Sequence, residues 1–448
     1  YKRQGLSGPE VEFYDAELLT ADATARIVDA DVVSVGVGLV RLLMDRKLVV
    51  DRVEIRDSQI EVRQLEDGTW QFQGSALDEL LPERRPTAGG NVQIIGSDIV
   101  LNFLQPGDER PRTFVIDDAR VRRGTDRLAI DAAVTLPDDL GRRMTVLATR
   151  ERMGPDGARR WDITAEADDI DLPGIARLDL SRALAFSSGI GDIDASVAFV
   201  DGQIQSGSAD IAFRDVRFGN EPGFSVDGVF EYERNETGWL LASNNYSLVT
   251  ANGPWPVSAV RIETSQNGDG EFAMVDAQAS YLRLEDLQLA RPWLPAEHQA
   301  LLSQYDADGR ILDLSLTLGA MDTEAWRFDV SAELDAVGFE AIDGRPGVRG
   351  FTGTLRADGS GGRFEIDAPG VAVTYPKILG RTAVLDEASG TLIWRRSDNR
   401  TTLLSDSIVL RNADFSIESN IEVTVADESR APIVDLAATW SVSDLGTI

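Results

Sequence analysis

Apolar and polar positions alternate with a period of two in run after run along the chain. Leu128, Ile130, Ala132, Val134 and Leu136 alternate with Ala129, Asp131, Ala133 and Thr135, and Ile193, Ala195, Val197 and Phe199 alternate with Asp192, Asp194 and Ser196. Leu312, Leu314, Leu316 and Leu318 are interleaved with Asp313, Ser315 and Thr317, and Ile421, Val423 and Val425 with Glu422 and Thr424. Such alternation marks strands with one apolar face and one wet face. Turn-forming clusters separate the runs: Glu66-Asp67-Gly68, Met153-Gly154-Pro155-Asp156-Gly157, Asn267-Gly268-Asp269-Gly270 and Asp358-Gly359-Ser360-Gly361-Gly362. No βαβ rhythm interrupts them. The pattern predicts a mostly β chain, an elongated and curled antiparallel sheet joined by short hairpins.

Helical signals are few. Val35, Leu39, Leu42 and Leu43 have helical spacing and predict a helix over Val35–Met44. Arg41, Arg46 and Lys47 would suit a helix lying on a membrane surface, but a cap over the first strands is the favoured reading. Leu284 to Tyr305 carries Leu287, Leu289, Leu294, Leu301 and Leu302, with Pro292 and Pro295 interrupting, and predicts two short helices or turns around 285–305. A helical turn at Ala76–Leu81 precedes a linker at Pro82–Gly90. Alternation resumes at once, so residues 1–448 are expected to form a single continuous segment.

A sheet with one apolar face must cover that face. At about 13 residues per strand and turn, the chain holds on the order of 30 strands, which would stack to roughly 140 Å. A sheet that long curls into a taco-like groove, and an unsealed apolar groove of that size has a ligand. Acyl chains fit it. At about 0.8 kcal/mol per methylene, a lipid with ~30 methylenes faces near 24 kcal/mol on crossing water. An apolar track removes most of that barrier and leaves the headgroup in solvent. It calls for no catalytic residue and no basic clamp. The apolar members of the four runs, together with Phe213, Phe230, Phe328, Val330 and Phe364, are the candidate lining, although a slip of one residue inverts any strand.

Composition narrows the alternatives. The 448 residues are 43% hydrophobic, enough for a folded chain, and their net charge of −31 repels polyphosphate and argues against nucleic acid. There is no cysteine, and His298 is the single histidine, so thiolate sites and multi-histidine metal sites are excluded. No apolar run reaches the ~18 residues of a membrane span. The chain begins at Tyr1 rather than Met and is expected to be a piece of a longer protein, with any membrane anchor outside it.

Motifs that mimic chemistry have plainer readings. Asp306-Ala307-Asp308-Gly309 and Asn267-Gly268-Asp269-Gly270 begin like calcium loops, but the twelfth positions are Thr317 and Gln278 where a bidentate Glu is needed. Asp168-Asp169-Ile170-Asp171 would be half of a glycosidase carboxylate pair, yet carboxylates are everywhere in this chain. His298 has no nucleophile beside it. Trp326, Trp394 and Trp440 are expected as packing anchors. The pairs Arg122-Arg123, Arg142-Arg143, Arg159-Arg160 and Arg395-Arg396, like Arg84-Arg85, read as solvated edges among acids. No cofactor, metal or enzyme activity is expected.

Several segments resemble AsmA-like proteins, in particular the YhdP branch. They are Gly5-Leu6-Ser7-Gly8-Pro9-Glu10-Val11, Val49 through Ile55, Ile60 through Arg63, Asp67 through Gly74, Trp239-Leu240-Leu241, Trp255-Pro256, Tyr305 through Leu314, and Trp326 through Trp394. The resemblance covers essentially the whole chain through the order and spacing of Gly, Trp and alternating apolar positions. It implies a bridge-like lipid-transfer fold, with 1–81 as an N-terminal portion and 91–448 as repeating β-groove units. It further implies the periplasm of a Gram-negative envelope and phospholipid movement between inner and outer membranes. The inner membrane would be met through a helix absent from this chain, with outer-membrane or other envelope proteins as possible partners. Two other classes stand beside it: an envelope assembly scaffold binding polypeptide by β-augmentation, and a β-solenoid carbohydrate hydrolase.

Overall fold

The computed structural model describes residues 10–19, 26–38, 50–65, 70–72, 75–76, 92–108, 110–124, 127–153, 158–180, 186–267, 272–293, 299, 304, 306–319, 327–342, 346–375, 382–397, 400–426 and 433–442. The chain divides into two units, Tyr1–Val216 and Arg217–Ile448, the division falling inside the strand Gln203–Phe218. Strands dominate both. Among the described residues, helical segments longer than one residue are confined to Leu172–Ile175 with Ala176–Leu180, and to the 3₁₀ helix Leu284–Trp293.

In the first unit Glu10–Leu19 pairs antiparallel with Arg26–Val37, and Arg26–Val37 with Val50–Gln64. A second run pairs antiparallel in chain order: Val92–Leu104, Arg112–Arg123, Arg127–Thr135, Arg143–Met153, Ala158–Asp171 and Phe186–Val200. The two runs join through a parallel pair, Val50–Gln64 beside Val92–Leu104, which corrects the expectation of antiparallel neighbours throughout. A parallel neighbour needs a crossover of about a dozen residues or more, and residues 65–91 supply that length. Within that connection, Trp70–Phe72 pairs with the end of Val50–Gln64 and with Ser75–Ala76.

The helix expected over Val35–Met44 is strand where it is described, because Val35 to Val37 close Arg26–Val37. Val32-Val33-Ser34-Val35-Gly36-Val37 is rich in β-branched residues, which are stiff at χ1 and suit a pleated surface. Val33 and Val37 are buried there. Residues 39–44, 77–81 and the linker 82–90 lie outside the described residues, as do His298 and Trp326.

A line of aspartates crosses five strands of this unit. Asp15, Asp57 and Asp98 have φ of 50°, 50° and 55°. The ladders place Asp31 between Asp15 and Asp57, Asp98 beside Asp57, and Asp117 opposite Asp98. All five are exposed. Aspartate tolerates the left-handed region better than most residues, and one extra residue shifts the phase of alternation. Val53 and Ile55 before Asp57 therefore pack in one cluster with Ile60 and Val62 after it. Small residues meet this crease on the apolar side: Ala16, Ala30 and Ser58.

In the second unit twelve strands pair antiparallel in chain order: Phe224–Arg234, Gly238–Thr250, Ser258–Gln266, Phe272–Arg283, Asp308–Gly319, Arg327–Phe339, Gly347–Asp358, Gly361–Ala368, Glu387–Ser397, Arg400–Arg411, Phe415–Ala426 and Ile433–Val442. The turn at Gly359-Ser360 is fixed by Asp358, whose Oδ1 accepts from Ser360 N at 2.7 Å and Gly361 N at 3.0 Å. The bond from the Ser360 hydroxyl first, and then these two, hold the Asp358 carboxyl below its ordinary pKa. Bulges recur at Gly228, Asp313, Ala336 and Gly390, all with positive φ. At Ala336 the backbone N–H freed by the irregular ladder donates to Thr352 Oγ1 at 3.1 Å. In the first unit Asp169 N–H donates to Asp192 Oδ1 at 2.9 Å in the same way. A short polar residue on the next strand satisfies the donor the bulge leaves over.

Candidate functional site

Residues opposite each other in a ladder share a face, so the register traces which side chains line up across each sheet. In the first unit one row runs through nine strands: Val11, Val35, Val53, Ile94, Val121, Ile130, Ala148, Ile163 and Val197. Beside it lies Phe13, Val33, Ile55, Gly96, Ala119, Ala132, Val146, Ala165 and Ala195. Beyond the aspartate line the same ladders align Ala16, Ala30, Ser58, Ile99, Ile116, Val134, Met144, Ala167 and Ile193. The opposite face, one residue over, reads Glu12, Ser34, Glu54, Ile95, Arg120, Asp131, Leu147, Thr164 and Ser196.

The second unit repeats the contrast. Twelve register positions line up as Tyr232, Leu241, Ile262, Ala277, Leu316, Val330, Ala357, Gly362, Trp394, Leu403, Val423 and Val434. The adjoining row on the other face runs Glu233, Leu240, Glu263, Asp276, Thr317, Asp329, Asp358, Gly361, Arg395, Thr402 and Thr424. From Tyr232 to Val423 every member of the apolar row is partly exposed. A second layer would have buried them.

The residues singled out from the alternation fall into these rows unevenly. Ile130 and Val197 share one row, Val134 and Ile193 another, and Leu128 and Phe199 stand at its end, Leu128 opposite Arg150 and Phe199 opposite Trp161. Leu136 lies just beyond its strand, buried in a turn where its N–H bonds Arg142 O at 3.0 Å. Phe213 is buried, and a Cβ on Gly191 would run into it. Leu316 and Val330 are partners, as are Leu318 and Phe328, the latter 40% exposed. Leu314 pairs with Ala279. Leu312 is separated from that run by the positive-φ Asp313 and stands opposite Tyr281 on one side and Glu333 on the other. Phe364 is buried and stacks on Phe351 at 4.7 Å, and Phe230 lies 6.0 Å from Tyr246. Ile421, Val423 and Val425 follow Ser405, Leu403 and Thr401 across one ladder.

The sequence reading missed the small members of the rows, such as Ala119, Ala148, Ala165 and Ala357, because alanine carries little hydropathy signal. It also missed Val33 and Ile55, whose phase is reset by a bulge. A further feature had no sequence signal. The 3₁₀ helix Leu284–Trp293 lines an open apolar cavity of about 230 Å³ with Phe224, Leu248, Trp255 and Leu282, smaller than the ~300–1,000 Å³ of ordinary ligand pockets. Its buried Asp286 accepts Trp255 Nε1 at 2.6 Å and Asn252 Nδ2 at 2.9 Å, with Arg283 at 3.5 Å. Trp255 continues an aromatic chain to Tyr246 and Tyr281, and burial raises the pKa of the Tyr246 phenol.

The acidic motifs serve the fold. Asp168 and Asp169 pair with Arg142 at 3.3 and 3.0 Å, Asp171 caps Leu172–Ile175 through Gly174 N at 2.7 Å, and Asp308 takes Arg349 at 3.1 Å. Among the described residues no group of three acidic, His or Cys side chains could hold a metal ion. The Trp394 ring packs over Gly362, which meets the expectation of a packing anchor.

Among the described residues, the feature common to both units is an apolar sheet face, a surface on which an apolar ligand could lie. The family model of the YhdP protein matches residues 5–448, and the chain belongs to that family. Delayed-rectifier potassium channel regulatory subunits of Colobus guereza and Macaca mulatta are each 33% identical over 114 residues. That match covers 25% of this chain, and the chain spans only 21% of theirs. No solved structure matches the chain.

Proposed function

We propose that this chain shields phospholipid acyl chains along its apolar rows while they move through the periplasm between inner and outer membranes, without covalent chemistry. One observation carries the reading. In each unit a row of apolar register positions runs across nine or twelve strands, its described side chains at least partly exposed except at Ala148, while the row beside it on the other face is mostly polar, with Ile95, Leu147 and Leu240 as its apolar members. Each methylene laid on such a row recovers up to about 0.8 kcal/mol, so a chain can advance without a large barrier. The headgroup stays in water. The inner membrane would be reached through a segment outside this chain, and envelope proteins would hold its ends.

Photocrosslinkers at Leu316 and Val330, with Asp329 as the control on the other face, test the reading in cells. Lipid adducts at the first two and none at Asp329 are expected. Protein adducts at all three would overturn it in favour of a scaffold that binds polypeptide. One observation favours that second reading: among the described residues Glu10–Leu19 has a ladder on one side, and its Phe13 and Tyr14 are 50% and 69% exposed.

A further inference from the structure

The cavity lined by the 3₁₀ helix Leu284–Trp293 is too small for a whole lipid and the right size for the end of one. Its volume of about 230 Å³ holds a short stretch of hydrocarbon, on the order of eight methylenes at interior packing density. Leu287, Leu289 and Ala290 line it from the helix, and Phe224 and Leu248 from the sheet. Among the described residues of that lining, Trp255, Arg283 and Asp286 have polar side-chain atoms, and all three are engaged. Asp286 accepts from Trp255 Nε1 at 2.6 Å and from Asn252 Nδ2 at 2.9 Å. Arg283 donates to Gly253 O at 3.1 Å and to Pro254 O at 3.0 Å. A lining whose polar groups are already satisfied favours an apolar occupant.

Two ties hold the helix in place. The buried Asp286 fixes its first turn, and near its other end Arg291 pairs with Glu221 at 3.6 Å. So pinned, the helix keeps the cavity from collapsing, and a ligand meets a preformed wall. The cavity also continues the apolar face of the second unit. Phe230, two residues from Tyr232 of the apolar row, lies 6.0 Å from Tyr246, and Tyr246 lies 6.5 Å from Trp255. Leu248 stands opposite Val226, two residues along the ladder from the pair of Tyr246 with Gly228, and so shares their face. A hydrocarbon chain on the row reaches the cavity over rings and aliphatic side chains. We propose that the methyl end of one phospholipid acyl chain lodges in this cavity while the rest of that chain lies on the row, giving a moving lipid a resting position beside Leu284–Trp293. The proposal rests on the lipid reading above and adds a discrete site to an otherwise continuous track.

The test uses the purified full chain and two phosphatidylglycerols, one with a diazirine at the methyl end of an acyl chain and one with it beside the ester. Irradiation and peptide mass spectrometry map the adducts. The methyl-end probe should label residues 287–290 or Leu248, and the ester-side probe should label them about tenfold less. Ala290→Trp fills the cavity and should cut methyl-end labelling there about tenfold or more, with labelling at Leu316 and Val330 kept. Ala290→Ser leaves the space and should keep both. Equal labelling of the cavity by the two probes would overturn the site and leave the track standing, and this contrast in the unmodified chain decides the matter even where Ala290→Trp fails to fold. Methyl-end labelling as strong in a folded Ala290→Trp as in wild type would also overturn the site. So would labelling at Leu316 and Val330 with none at the cavity, the result expected if water or residues 294–303 of this chain occupy it. Labelling at neither place would overturn both readings.

Discussion

The two units reach the same face with different materials. In the first, the middle row sets the small residues Gly96, Ala119, Ala132, Ala165 and Ala195 among Phe13, Val33, Ile55 and Val146, and the strands change phase along a line of exposed aspartates. In the second, the row carries more bulk, with Tyr232, Ile262, Leu316, Trp394 and Leu403, and the 3₁₀ helix Leu284–Trp293 lines an open cavity beside the sheet. Residue size therefore does not define the face. Register does: along these rows apolar positions stand opposite one another from strand to strand, and bulges shift the phase of alternation along a strand. The units differ in how much of the space above the sheet their own side chains fill.

A charge placed in either row should break the comparison most strongly. Leu316→Glu and Ala132→Glu put a carboxylate where a methylene would lie, and each should cut co-purified phospholipid by tenfold or more, about 1.4 kcal/mol or above. Circular dichroism should stay that of a β protein. If Ala132→Glu retains full lipid and Leu316→Glu does not, the small-residue unit is not part of the track.

Stability separates the units next. Asp286→Ala removes the acceptor of Trp255 and Asn252 and leaves Arg283 without its charge partner, which should cost about 3 kcal/mol. The loss should appear as earlier hydrogen exchange in the second unit with the first unit unchanged. Glycines at the rows give a milder contrast. A Cβ on Gly362 would enter the Trp394 ring, whereas one on Gly96 would meet the movable Cδ1 of Ile99. Gly362→Ala should cost about 1–3 kcal/mol and Gly96→Ala clearly less, read by urea denaturation. At the aspartate line, Asp57→Val forces a β-branched residue to positive φ and should cost about 1–2 kcal/mol, while Asp57→Asn should be close to neutral.

How much of this was legible from the residues follows from what each signal needs. Strands such as Arg127–Thr135 and Asp308–Gly319 announce themselves because every second residue is large and apolar. Val35–Val37 was read as helix because the phase of alternation changes between Ala30 and Val33, at the aspartate line, and because Leu39, Leu42 and Leu43 follow Val35 at helical spacing. The parallel pair was invisible because residues 65–91 carry no pattern stating where the chain returns. The cavity beside Asp286 depends on the chain folding back over its own strands, which local periodicity cannot encode. The candidate lining was legible as membership of strands. Its assembly into rows required register.

The smallest predicted effect concerns pH and again divides the units. Tyr246, half-buried in the second unit, has its phenol pushed above the ordinary value of about 10 by burial. Tyr14, exposed in the first, is also raised, chiefly by donating to Glu12 Oε2 at 2.9 Å. A raised phenol pKa means that the folded state prefers the neutral form. Its contribution is complete below the unfolded value and falls as pH climbs from there through the folded value, because the unfolded chain ionises first. The second unit should therefore lose stability with rising pH in the alkaline range, and Tyr246→Phe should flatten that slope. Tyr14→Phe should leave the first unit's slope unchanged, since solvent screens an exposed pair. Tyrosinate absorbance resolved against pH would show Tyr246 titrating late. If Tyr246 instead ionises at the ordinary pH of a free phenol, the aromatic chain from Tyr246 to Tyr281 is open to water, and the second unit is no better sealed than the first.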